Sequence, residues 1–158
     1  MAVILLREVG LSYYAPGQSL SIKCDMEVLL ILLAPRIFRR VSARLLLRGA
    51  AVTAIIAFNI IASVTTLPAM LFGAAMEGAY YGLFAGTSLT FIQGFARGRT
   101  ARATALYMNS IFLAALFAVP LMGFVAQYSS FGVSIRLASV GAGAALLLLF
   151  LTRRQVSE

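Results

Sequence analysis

A single carboxylate in the middle of the longest apolar run limits what this chain can fold into. The run covers about residues 68–95, and Glu77 is its one charged residue. A stretch of about 20 apolar residues is long enough to cross the hydrocarbon core of a bilayer as a helix. Because an ionised carboxylate facing lipid costs roughly 2.5 to 3.5 kcal/mol, Glu77 should face other helices or a wet cavity. The run therefore predicts a membrane helix with a buried polar point.

Four further apolar runs predict four more membrane helices. They lie at about 19–38, 45–65, 104–128 and 133–151. A hydrophobic fraction of 61% with only 11% charged residues is far from the balance of a soluble domain. The fold class we expect is an all-α membrane protein with five transmembrane helices in residues 19–158. Residues 1–18 hold an apolar segment too short to span and a turn-prone Pro-Gly pair, which we interpret as a truncated helix end and an external loop.

The two sides of the 68–95 run have different chemistry. At 100° per residue, Glu77, Tyr81 and Ser88 fall along one side of a helix, and the glycine stripe Gly78–Gly86, with a glycine at every fourth position, lines the neighbouring side. Small residues at this spacing let the backbone of another helix approach closely. We expect packing from the glycine stripe and cavity lining from the Glu77 side.

The first span opens with an unusual density of charge, in Lys23, Asp25 and Glu27. Lys23 and Glu27 are four residues apart and would share a helix face, where they could pair. Two interpretations stay open: this is a helix end at the water interface, or Glu27, which lies deepest, faces a polar cavity. In the fourth span, Asn109 lies near the basic end, within reach of the preceding helix.

The basic residues lie between the spans and set an orientation. Five lie in 36–48, three in 97–102 and two at positions 153 and 154, so ten of the 13 share one side of a five-span chain. Loops rich in lysine and arginine stay in the cytoplasm, which places the C-terminus inside. Orientation in the membrane accounts for the net charge of +8, so nucleic acid is not an expected partner.

The chain offers little material for catalysis. It has no histidine and one cysteine, Cys24, and no nucleophile-base pair or metal-ligand cluster is recognisable. We therefore expect no enzyme activity, no cofactor and no metal.

The stretch GLFAGTSLTFIQGFARGRTARATALYMNSIFLAALFAVPLMGFVAQ, together with the order of spans, resembles the C-terminal half of a major facilitator superfamily transporter. The nearest resemblance is to the bacterial sugar efflux transporter branch, with the five spans similar to helices 8 to 12. This resemblance implies a location in the bacterial inner (plasma) membrane. It also implies efflux of sugars or related small molecules that is proton-coupled in the intact protein, with drugs as an alternative substrate class. It also implies a partner, the N-terminal half of the transporter, because such proteins form their substrate site between two halves.

Substrate contacts in such a transporter would come from Glu77, Tyr81, Ser88, Asn109 and Glu27. Hydroxyl, amide and aromatic groups suit sugars, and an intramembrane carboxylate suits proton exchange. Two alternatives stay open: a small membrane protein that packs against a separately encoded partner, and a truncated remnant without transport activity.

Overall fold

The computed structural model describes residues 13–94 and 98–151, except for the side chains of residues 34, 35 and 38. These residues form five helices, and the predicted all-α class is confirmed. The helices are α1 (Ala15–Phe38), α2 (Ala43–Ala62), α3 (Leu67–Gly94), α4 (Thr100–Tyr128) and α5 (Phe131–Leu151). The predicted helix end at residues 2–6, Arg97 and the C-terminal Arg153 and Arg154 lie outside the described residues.

Local sequence explains where the helices begin. α1 starts at Ala15, four residues before the predicted span. Pro16 is compatible with the first turn of a helix. A run of apolar residues marks only the part of a helix that lies in the membrane core, so it does not show this first turn. α2 is capped by Ser42, whose hydroxyl accepts a hydrogen bond from the Leu45 amide at 3.4 Å. Before α4, Gly98 adopts a φ of 85°, a left-handed conformation that glycine reaches without a Cβ clash.

Helix α3 lies at the centre of the bundle, and both α1 and α2 pack along it. Near the α2–α3 turn, Gly73 lies against Ile61. Further from the turn, Tyr80 of α3 contacts Phe58 of α2, with ring centroids 6.0 Å apart. This opposite order shows the antiparallel hairpin that the short connection predicts.

Helix α5 covers α2 on its other side, and polar contacts fix their antiparallel register. The Asn59 side-chain amide donates to the Ser139 hydroxyl at 2.8 Å, and near the other end Arg48 donates to the Leu149 carbonyl at 3.0 Å. Interhelical hydrogen bonds of this kind hold apolar helices together where water is scarce.

Helix α4 is the least enclosed of the five. It contacts α3 and α5 only lightly, and Ala103 is its one buried residue. Within the described residues, three helices (α2, α4 and α5) are long and apolar enough to cross a membrane by length and composition. Of the other two, α1 carries Lys23, Asp25 and Glu27, and α3 carries Glu77 in its interior.

Candidate functional site

The candidate site is centred on a salt bridge between α1 and α3. The Lys23 ammonium donates to Oε1 of Glu77 at 2.8 Å, and the two side chains are only 26% and 22% exposed. The same ammonium lies 4.6 Å from the ring centroid of Tyr81, a cation–π contact. The direct bond of Lys23 thus goes to the neighbouring helix rather than to Glu27, the partner that the four-residue spacing on its own helix allowed.

Two glycines of the stripe make this salt bridge possible. A Cβ on Gly82 would lie 2.8 Å from both the Glu27 carbonyl oxygen and the Leu30 Cβ, and a Cβ on Gly78 would collide with the Lys23 carbonyl. The backbone of α1 thus rests directly on α3, as the glycine spacing predicted. Close approach brings the Lys23 ammonium within hydrogen-bonding distance of Glu77, and it places Glu27 one helical turn further along the same contact.

Glu77 also lines a cavity of about 300 Å³ among α2, α3, α4 and α5. The wall consists of Phe58, Ile61, Glu77, Met122, Gly123, Ala126, Phe131, Ser134, Ile135 and Ala138. Glu77 is the one charged residue of this wall. The Ser134 hydroxyl donates to the Met122 carbonyl at 2.9 Å and so can still accept a hydrogen bond from a guest. The cavity therefore combines apolar and aromatic surface with a single carboxylate.

The remaining predicted site residues lie elsewhere. Ser88 is buried and its hydroxyl lies 2.6 Å from the hydroxyl of Tyr107 on α4. Asn109, two residues further along α4, is exposed. Gln93 donates to the Thr104 hydroxyl at 3.0 Å. The structure thus brings Glu77 and Tyr81 together around Lys23, while Ser88 belongs to a separate polar contact that joins α3 to α4.

Sequence reasoning missed Lys23 as the partner of Glu77 and Tyr107 as the partner of Ser88. Tyr107 lies three residues after Thr104, so both hydroxyls lie on the α4 face toward α3. That spacing was a usable signal, whereas nothing in the sequence gives the register between α1 and α3.

The described residues contain no cluster of three histidine, cysteine, aspartate or glutamate side chains that could hold a metal ion. Cys24 is an exposed free thiol.

Comparison with known proteins supplies the family. No curated protein and no solved structure matches the chain. The sequence does match the model of the MFS_1 like family over residues 2–130, which is most of its length. With the apolar helices, this match indicates an integral membrane protein of transporter type. The chain belongs to the MFS_1 like family and is thus a protein of the major facilitator type.

Proposed function

We propose that this chain forms part of a bacterial inner-membrane efflux transporter for sugars or related small molecules, with Glu77 as its central functional residue. The observation that carries the proposal is that this carboxylate has two kinds of contact. Glu77 lines a partly open cavity and is paired with a cation from another helix. An ionisable group in such a place is costly to maintain and is typical of a substrate or proton pathway.

The other site residues suit a polar solute. Tyr81 presents an aromatic ring next to Glu77, and Ser88, Asn109 and Glu27 carry groups that donate or accept hydrogen bonds. Sugars offer hydroxyls for such groups and apolar ring faces for aromatic side chains. In this proposal the sugar contacts the Glu77 face of α3. The Lys23 ammonium moves off the Tyr81 ring when the sugar packs against that ring.

Proton coupling follows from the chemistry of the salt bridge. When Glu77 takes up a proton, its negative charge disappears and the Lys23 ammonium loses its partner. The ammonium then turns to water or to an acceptor on the solute. Release of the proton on the other side of the membrane restores the salt bridge, so that proton movement and solute movement are linked.

One observation favours drugs as a second substrate class. The wall of the cavity is almost entirely apolar and aromatic, with one carboxylate. A lipophilic organic cation matches that wall better than a sugar does, because its apolar body is buried while its charge is paired.

A flux assay in liposomes tests the proposal, with the purified chain reconstituted alone and together with the product of a neighbouring reading frame that encodes an N-terminal transporter half. Flux is expected in the combined sample. We expect saturable movement of radiolabelled sugar, or of ethidium as the lipophilic cation, that depends on a pH gradient. Glu77→Gln should abolish the pH dependence. Asp25→Asn is the matched control, because it removes the same charge from an exposed position of α1.

Two results would contradict the proposal. A saturable flux that keeps its pH dependence in Glu77→Gln would remove Glu77 from the mechanism. No flux of either probe in the combined sample would favour the alternative of a remnant without transport activity. Flux that appears only in the combined sample would identify the neighbouring product as the partner.

A further inference from the structure

One arginine of a pair on α2 contacts the end of α5. Arg44 and Arg48 are four residues apart, so they share one face of the helix, and both are half-buried. The Arg48 guanidinium donates through one nitrogen, Nη2, to the Leu149 carbonyl at 3.0 Å. It also lies 4.2 Å from the ring centroid of Phe150. Arg48 is thereby fixed in place rather than extended into water.

The hydrogen-bonding capacity of this guanidinium is only partly used. Its Nε atom is buried and has no acceptor among the described residues. An arginine presents five N–H donors in a planar fork, and a phosphate group is the anion that fits two of them at once. A fixed guanidinium with spare donors indicates an anionic partner.

The surroundings add positive charge without any acid to neutralise it. Arg36, Arg39 and Arg40 are exposed in and beside the turn that precedes α2, and the sequence has no aspartate or glutamate between Glu27 and Glu77. The arginines of this end therefore create an uncompensated positive potential.

Exposed apolar side chains next to the pair favour a lipid over a soluble anion. Leu45, Phe150 and Leu151 are 57%, 51% and 69% exposed at the same end of the bundle. Arg48 lies about 7.5 Å along the axis from the start of α2, a depth close to the headgroup level when the helix spans. A free phosphate would use only the arginines, whereas a phospholipid also covers the apolar surface.

We propose that Arg44 and Arg48, at the junction of α2 and α5, bind the phosphate of an anionic phospholipid headgroup. The acyl chains lie along Leu45 and Phe150. The bound lipid joins the start of α2 to the end of α5. This site is separate from Glu77 and does not depend on the transported solute.

Native mass spectrometry of the detergent-purified chain tests this site. The protein is mixed with equal amounts of phosphatidylglycerol and phosphatidylcholine, and the retained lipids are counted. We expect a preference for phosphatidylglycerol that falls in Arg44→Gln/Arg48→Gln, by roughly five-fold for each arginine removed. Arg99→Gln/Arg102→Gln, which removes the same charge from exposed positions at the start of α4, should keep the preference.

Three results would overturn the proposal. They are an unchanged preference in the Arg44/Arg48 variant, an equal loss in the Arg99/Arg102 control, and displacement of the lipid by inorganic phosphate at millimolar concentration. The last result would assign the site to a soluble anion.

Because loss of the Arg48–Leu149 bond can weaken the fold, Arg44→Gln alone and Arg48→Lys are measured too. Both should lower the preference while the melting temperature in phosphatidylcholine stays close to that of the unaltered protein.

Discussion

At the scale of single residues, the Lys23–Glu77 salt bridge has the sharpest energetic consequences. Removal of one partner leaves the other charge half-buried without compensation, whereas removal of both leaves none. We expect Lys23→Met and Glu77→Gln each to lower the free energy of unfolding by about 1 to 3 kcal/mol. The double variant should lose clearly less than the sum of the two. Unfolding by sodium dodecyl sulfate in mixed micelles gives the three values, and strict additivity would mean that the two side chains do not interact.

The glycine contact between α1 and α3 gives a second prediction at this scale. In Gly82→Ala the new methyl group would meet the Glu27 carbonyl oxygen at 2.8 Å, so we expect a loss of about 1 to 3 kcal/mol from overpacking. Gly143→Ala in α5 is the matched control, because nothing lies within 4 Å of its Cβ position. It should gain up to about 1 kcal/mol from the better helix propensity of alanine. If both variants gain stability in the same unfolding assay, the close approach of α1 is incorrect.

At the scale of helices, α4 is enclosed only near its ends. Phe117, at its centre, is 67% exposed, whereas Phe58 of α2 is half-buried against Tyr80. The chain has no tryptophan, so Phe117→Trp and Phe58→Trp each create a unique fluorophore. In vesicles of lipids brominated at several depths, Phe117→Trp should be quenched much more strongly than Phe58→Trp. Equal and weak quenching would show that another protein surface covers the middle of α4.

The number and order of the helices followed from the sequence because five largely apolar runs are separated by short polar or basic segments. Their starts did not, since the backbone hydrogen bonds of α1 and α4 continue past the apolar core to Ala15 and Thr100. The need to bury Glu77 was also predictable, from the cost of a carboxylate in lipid. The partner of Glu77 was not predictable, because whether Lys23 bonds to Glu27 or to Glu77 depends on how α1 is placed along α3.

At the scale of the whole molecule, the remaining prediction concerns orientation. Five helices in alternating directions put the 39–42 turn, the Gly98 turn and the end of α5 on one side. In the sequence, ten of the 13 basic residues fall in or near these three segments, and lysine and arginine in short loops are retained in the cytoplasm. Green fluorescent protein fused after Glu158 should therefore fluoresce in bacteria, and alkaline phosphatase at the same position should be inactive. Alkaline phosphatase fused after Ser129, in the turn between α4 and α5, should be active. The reverse pattern would show that the chain inserts against its charge bias, and the Arg44/Arg48 lipid site would then face the opposite leaflet.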